Sequence, residues 1–384
     1  MQKSRLIAIG FLALCGLLVF AVSQGWIGAN APVALFPTAL PATPDPSRAV
    51  TIELVYSAEK ERWLAEAVKQ WEATGPTADG RPIKVVLTRS GSQEIIANLG
   101  KTLKPAALSP ASSLQIAQIN AATIENTQNI AADSQPLVFT PLVLVGVKET
   151  TADTLKADSS LWTMVHDKVI EPDRSKKLLF GQTSPVLSHS GLQTWLLMAY
   201  AYHNKTSGLT AADINNPEFQ SWISEYATNV EKFGTSTGTF MENMIRFGPS
   251  NYHAAAVYES SAIENIPLAI NRQLDMYVIY PPANMWSDHP FAVLSAPWVT
   301  AEQKDAAGQL RAFLLGKPQQ EAAVLQGFRP SDPDIALDIA NSPFVAYADR
   351  GIKTNVGELV GDPSPEVVQA LLDTWTKLQG NVQQ

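Results

Sequence analysis

Between Thr51 and Leu99 the chain twice runs from an apolar strand through a serine-bearing turn into a helix, and this alternation limits the fold more than any other feature. Thr51–Tyr56 has strand composition and is followed by Ser57. A helix is predicted from Ala58 to about Ala73, because Leu64, Ala67, Val68 and Trp71 recur at i, i+3, i+4 and i+7 and so share one buried face. Glu59 in its first turn suits the helix dipole. Ile83–Thr88 reads as a second strand, Arg89-Ser90-Gly91-Ser92 as a turn, and helix follows to about Leu99. Strands alternating with helices argue for a parallel sheet, so the class is α/β.

Further along, Leu137–Val147 is almost continuously apolar and reads as a buried strand, with Thr140-Pro141 marking a bend or an edge. Lys177–Phe180 begins another strand. After Ser188-His189-Ser190-Gly191 a strongly apolar helix is predicted from Leu192 to about His203. Strands are predicted at Ala254–Tyr258, Met276–Tyr280 and Phe291–Leu294, with a helix at Ile263–Ile270 and closing helices near Ala301–Leu315 and Pro365–Leu378. No repeat of fixed period interrupts this order.

The N-terminus is an address. Lys3 and Arg5 precede an apolar run from Leu6 to Val22, a pattern that keeps the N-terminus inside while the rest of the chain is exported. Three readings fit residues 1–28. Ala29-Asn30-Ala31 has the form of a signal-peptidase site, with Pro32 hindering the cut. Leu12-Ala13-Leu14-Cys15 has the outline of a lipoprotein box, with Leu14 departing from it. An uncleaved transmembrane anchor with Trp26 at the interface needs no cleavage at all. All three place the body outside the cytoplasm, secreted or membrane-anchored. Residues 29–48 form a linker stiffened by Pro32, Pro37, Pro41, Pro44 and Pro46.

The 384 residues suffice for two domains. The 28 basic against 36 acidic residues give a net charge of −8, which disfavours nucleic acid as a partner. Cys15 is the one cysteine, so the folded body is expected to hold no disulfide, zinc–cysteine cluster or thiol nucleophile. No cofactor is expected.

The chain resembles the type II extracellular solute-binding proteins, the superfamily that includes molybdate- and sulfate-binding proteins, and within it a branch often joined to a von Willebrand factor A domain. The resemblance rests on an ordered set of phrases: Tyr56-Ser57-Ala58-Glu59-Lys60, Ser109-Pro110-Ala111-Ser112-Ser113, Thr183-Ser184-Pro185 with Ser190-Gly191, Val257-Tyr258-Glu259-Ser260, Tyr280-Pro281-Pro282, Ser287-Asp288-His289-Pro290 and Gly327-Phe328-Arg329-Pro330. It implies a two-lobed fold with a central cleft and two crossing strands. Residues 49–140 and 285–384 would form lobe 1 and residues 141–284 lobe 2, with crossings near Pro136–Val147 and Met276–Leu294. No von Willebrand module is expected after Gln384. Two departures weaken any transfer of oxyanion specificity: Lys104-Pro105-Ala106-Ala107 lacks the acidic residue often found there, and Glu259 follows Tyr258 directly.

In open α/β sheets ligands bind beyond the carboxyl ends of strands, where helix N-termini point. Ser57, Ser90 and Ser92, Ser188 and Ser190, and Tyr258 and Glu259 occupy such turns, with Ser109 a further candidate. Each serine has an alternative role as a helix cap. Glu259 could meet a cationic ligand or metal, or form an ion pair at the hinge. Asp288-His289 is expected to be structural, as adjacent strand residues point to opposite faces. His189 and His253 are expected to be surface groups or hydrogen-bonded packing. Gly234-Thr235-Ser236-Thr237-Gly238 has the form of a hydrolase nucleophile motif, but it follows a predicted helix (Trp222–Phe233) instead of a strand and reads as a flexible turn.

The expectation is therefore a monomeric solute-binding protein, not an enzyme, that captures a small molecule or ion and delivers it to an ABC-type permease. The alternatives are a membrane-anchored sensory or adaptor domain on the same fold and a serine hydrolase using Ser236.

Overall fold

The computed structural model describes residues 49–382 apart from Pro249, so the apolar N-terminal segment and its linker lie outside the described residues. The serine-punctuated alternation builds the first sheet. Strand β1 (Val50–Tyr56) leads through a single 3-10 turn into α1 (Glu61–Ala73); β2 (Thr77–Ala78) and β3 (Arg81–Arg89) follow, then α2 (Ser92–Asn98), β4 (Ala107–Ser109) and α3 (Ser113–Ala121). β1 lies between β3 and β4, parallel to both, with Tyr56 opposite Arg89 and Ser109. All three strands therefore end at the same edge.

The chain leaves this sheet by β5 (Asp133–Pro136) and passes at once into β6 (Val138–Val147), the longest strand of the second sheet. Pro141 marks the crossing. Before it, Val138 and Phe139 pair only with short hinge strands; after it, Leu142–Gly146 pair with the second sheet proper. A proline lacks the amide needed for an uninterrupted ladder, so a change of partners there costs nothing further. Along β6, Leu142 and Leu144 face one core and Val143 and Val145 another, which is why the strand reads as unbroken hydrophobicity.

The second sheet is completed by α4 (Leu161–Ile170), β7 (Phe180–Thr183), α5 (His189–Tyr202), α6 (Pro217–Asn229), β8 (Lys232–Gly234), α7 (Thr237–Phe247), β9 (Ala254–Tyr258), α8 (Glu259–Asn271) and β10 (Met276–Ile279). Its order is β10-β6-β9-β7-β8, with β7 parallel to β8 and β9. Helix α5 crosses β7 closely at Gly191, where a β-carbon would lie 2.1 Å from the Thr183 carbonyl oxygen.

The return runs through β11 (Ala283–Asn284) and β12 (Trp286–Ser287), which pairs with β6, to β13 (Pro290–Val293), which lies antiparallel between β4 and β5 in the first sheet. Helices α9 (Ala301–Leu314) and α10 (Lys317–Leu325) cover that sheet.

A third passage was not foreseen. β14 (Arg329–Pro330) pairs with Phe139 and Val138, and the chain beyond it packs on the second sheet. Ile335, Phe344, Ile352 and Val356 join Val143 and Val257, while after β15 (Glu358–Leu359) the closing helix α11 (Pro365–Val382) sets Trp375 edge-on to Trp195 at 5.2 Å. Residues 331–382, expected in lobe 1, thus pack with the second sheet. The amphipathic period of α11 shows that it has an apolar face, but not which sheet that face meets. No helix among the described residues is long and apolar enough to cross a membrane.

Candidate functional site

A cavity of about 590 Å³ lies between the two sheets at the carboxyl ends of their parallel strands. One wall is Ala58, after β1, and Arg89, Ser90, Gly91, Gln93, Glu94, Ala97 and Asn98, from the end of β3 through α2. The other is Val186 and Leu187, after β7, with Thr235, Ser236 and Thr239, after β8. The walls meet at Gly91, where a β-carbon would lie 2.8 Å from the Leu187 carbonyl oxygen. Glycine is thus required by close approach across the cleft, not by its φ of −68°.

The charges in this lining are compensated. Arg89 pairs with Glu61 at 2.9 Å. Glu94 accepts from Ser90 Oγ at 3.0 Å and from the Gly91 amide at 3.2 Å. What remains to face a ligand is mostly neutral: amides at Gln93 and Asn98 and hydroxyls at Ser236 and Thr239.

Of the residues expected at the site, Ser90 lines the cavity, while Ser57, Ser92, Ser109, Ser188, Ser190, Tyr258 and Glu259 are buried and do not line it. Ser57 neither caps its helix nor faces the cavity: its hydroxyl donates to Glu59 Oε1 at 2.5 Å and accepts from Lys60 Nζ at 2.5 Å. Ser92 Oγ accepts from the Ala111 amide at 3.0 Å, tying α2 to the loop after β4. Ser109 is fully buried and its hydroxyl has no protein partner. Ser190 joins Thr183 Oγ1 at 2.7 Å and Thr237 Oγ1 at 2.6 Å, with Ser188 at 3.3 Å from it. Tyr258 is buried, its ring edge-on to His289 at 5.7 Å.

Glu259 forms a buried ion pair with Arg329 at the hinge. Its carboxylate accepts from Arg329 Nε at 2.8 Å and Nη2 at 2.7 Å, and from the Tyr280 hydroxyl. Arg329 also donates to the Lys353 and Thr354 carbonyls and stacks over Trp286 and Phe344. Burial pushes the Glu259 carboxyl up despite Arg329, while Arg329 is held above its ordinary value by Glu259 although burial opposes it. On the Glu259 side burial outweighs the attraction, while on the Arg329 side the attraction outweighs burial.

A buried polar group that the sequence pattern does not signal is built around Lys60, two residues from Ala58 of the cavity wall. Lys60, fully buried, donates to Ser57 Oγ and to the Pro110 carbonyl at 3.2 Å, and lies 3.0 Å from His289 Nδ1 and 3.5 Å from Glu59 Oε1. Burial pulls the Lys60 ammonium down to about 8 against the pull of Glu59. Burial alone would raise Glu59, but the Lys60 charge and the bonds from His289 and Ser57 hold it well below the usual carboxylate range. Burial, then Lys60, pushes His289 down to about 4. His289 has φ of 38°, a conformation rare for a residue with a β-carbon. Asp288 turns the other way and accepts from the Ser113 amide at 2.7 Å. Their divergence was expected, but its cause is this left-handed turn and not strand pleating.

Ser236 also departs from expectation. β8 precedes it and α7 follows, so the motif does sit on a strand–turn–helix unit, because α6 ends at Asn229. No imidazole is hydrogen-bonded to Ser236 among the described residues: the buried histidines nearest the cleft bond to Gln115 (His189) and face Lys60 and Glu59 (His289). Ser236 lines the cavity. No cluster of His, Cys, Asp and Glu suited to a metal ion occurs among the described residues.

Solved structures share this architecture. The sulfate-binding protein SubI from Mycobacterium tuberculosis H37Rv superposes over 86% of this chain and 99% of its own, with TM-score 0.55 and 16% identity. A periplasmic thiamin-binding protein covers 88% of this chain and 98% of its own at TM-score 0.60 and 12% identity. Iron-bound HitA from Pseudomonas aeruginosa covers 86% and 99% at TM-score 0.54 and 15% identity. At these identities the likeness is one of fold: the two-lobed architecture of periplasmic binding proteins. No curated protein sequence matches the chain. Residues 52–329, from β1 through the hinge arginine, match the family described as bacterial extracellular solute-binding protein, and the chain belongs to that family.

Proposed function

We propose that the protein captures a small solute reversibly in the cavity between its two sheets and presents it to an ABC-type membrane permease, acting outside the cytoplasm and without catalysis. The observation that carries this reading is the cavity itself: its walls come from two sheets joined by narrow crossings, and they sit where strand ends and helix N-termini direct hydrogen-bond donors. Such an arrangement opens by a hinge and closes around what it binds. The lobes are residues 49–140 with 285–330, and residues 141–284 with the C-terminal segment 331–382. The N-terminal segment tethers the body to the membrane through residues 29–48, and the protein acts as a monomer.

Native mass spectrometry of the full-length chain, purified without unfolding, tests the capture. A bound small mass is expected, lost from a Ser236→Trp variant that fills the cavity. A bound mass retained by that variant would place the site elsewhere.

A further inference from the structure

A second cavity, of about 250 Å³, shares no lining residue with the cleft. Its walls include Trp162 from α4, Leu197 and Tyr200 from α5, Lys205 in the loop that follows, Ala283 of β11 and Glu358 of β15. Hydrogen bonds tie these elements to one another. Ala283 pairs with Glu358 where β11 and β15 run parallel. The Val360 amide donates to the Asn284 carbonyl at 2.8 Å and the Gly361 amide to the Thr206 carbonyl at 2.7 Å. The Tyr200 hydroxyl donates to the Gly361 carbonyl at 2.7 Å. A cavity whose walls are bonded to each other is preorganised, so a ligand does not have to order them.

The charges around this cavity favour one class of ligand. Lys205 is held by Asp213: its Nζ lies 2.6 Å from Asp213 Oδ2, and this bond, before any other cause, brings the Asp213 carboxyl down to about 2. Thr210 gives its amide and its hydroxyl to the same oxygen, each at 2.8 Å. The lysine charge is therefore compensated in place. Glu358 is exposed and has no ion-pair partner among the described residues. Burial, then the charge of Asp362, raises the Tyr200 hydroxyl, so a second carboxylate lies near this wall. With Lys205 and Asp213 cancelling, the remaining charge is negative. Beside it stand Trp162, 3% exposed, Tyr200, 2% exposed, and the apolar Leu197. An anion would meet repulsion here, and a neutral apolar molecule would cover Glu358 without pairing it. A cation that carries apolar surface suits both features, since a carboxylate attracts its charge and aromatic rings attract it through their quadrupoles.

We propose that this cavity is a second binding site, separate from the cleft, for a small dissolved organic ammonium ion. Glu358 supplies the counter-charge, Trp162 and Tyr200 the aromatic surface and Leu197 the apolar floor. A bare metal ion is not its ligand, because one carboxylate among rings offers too few oxygens to replace a hydration shell. The walls join the return crossing at Ala283 to the C-terminal segment at Glu358, so the bound ion braces the β11–β15 pair. The proposal does not depend on what the cleft holds.

The test uses the full-length chain labelled with ¹⁵N in its tryptophan indoles, with Trp162→Phe supplying the assignment. The sample is titrated with tetramethylammonium, choline and butylammonium chlorides, and separately with sodium chloride and sodium acetate at matched ionic strength. At least one ammonium ion is expected to move the Trp162 indole resonance saturably and to slow hydrogen exchange at the Val360 amide, while the sodium salts do neither. Affinity should fall by about fivefold in Glu358→Gln, the upper end for an exposed ion pair, and further in Glu358→Lys. Glu358 is exposed, so both variants are expected to fold. The response should persist in Ser236→Trp, which fills the cleft. A response lost in Ser236→Trp places the ammonium ion in the cleft, which overturns the second site and leaves solute capture standing. An affinity unchanged in Glu358→Lys, an equal shift with the sodium salts, or no shift with any ammonium ion overturns the proposal.

Discussion

Replacing Arg329 by methionine removes the counter-charge from a carboxylate that is fully buried at the hinge. Glu259 would keep only the Tyr280 hydroxyl, having lost two charge-assisted bonds at 2.8 and 2.7 Å. Breaking a buried pair on one side costs about 3–5 kcal/mol. With a urea dependence of about 3 kcal/mol per molar, reasonable for a large exposed area, the midpoint should fall by about 1–1.7 M. The cost lies in the orphaned charge and not in the loss of a favourable pair, since burial already pushes Glu259 up in the presence of Arg329. The double variant Glu259→Leu/Arg329→Met should therefore recover to within about 1 kcal/mol of the parent. Urea unfolding followed by tryptophan fluorescence measures both, with Trp286, stacked on Arg329, as a local reporter. A single variant within about 0.3 M of the parent, or a double variant as unstable as the single, would refute the argument.

Other expectations arise from the same geometry. Gly91→Val sets side-chain atoms against the Leu187 carbonyl and should hold the walls apart, giving a larger radius of gyration in X-ray scattering with the fold retained; an unchanged radius would show that the two walls do not meet there. Trp375→Ala should cost about 3–5 kcal/mol if α11 is part of the second core, and near-neutrality in urea unfolding would detach it. Ser92→Ala leaves the Ala111 amide unpaired and should cost about 1–3 kcal/mol, read in the same assay. Acid should destabilise the protein through His189 and His289. Their folded values of about 3 and about 4 lie below an unfolded value of about 6.5, so the unfolded state binds more protons and stability falls as pH drops below about 6.5. Between pH 7 and 5 the loss should be on the order of 1–2 kcal/mol per histidine, and His189→Gln should remove its share; a flat pH profile would contradict the burial of both rings.

The elements legible in the sequence were those whose periodicity had one interpretation. β1, α1, β9 and α9 fall within a few residues of their expected bounds, because strand alternation and the i, i+3, i+4 pattern were uninterrupted. The change of partners along β6 was legible because Pro141 announces it. What stayed hidden depended on long-range packing. Nothing in the spacing of Val367, Val368 and Leu371 says which sheet they meet, and the polar character of Lys60 concealed a side chain with no exposure. At the cavity, Ser90 borders the open space with Gln93, Asn98 and Thr239, while Ser57, Ser92, Ser109, Ser188 and Ser190 are buried, because serine in a strand-end turn does not itself say how deep its hydroxyl lies. The Gly234–Gly238 turn sits beside the cleft because the preceding helix ends at Asn229 and Lys232–Gly234 is a strand, a boundary that the apolar spacing up to Phe233 does not reveal. Glu259 could not be assigned because its partner, Arg329, is 70 residues away in the chain.

The central claim is that a solute binds between the walls. Thermal unfolding of the full-length chain against a panel of anions, metal ions, sugars and amino acids tests it most directly. At least one solute should stabilise the protein, by about 2.7 kcal/mol at a hundred times its dissociation constant, and the effect should vanish in the cavity-filling variant Ser236→Trp. A panel that shifts nothing, or a shift that survives Ser236→Trp undiminished, would contradict it.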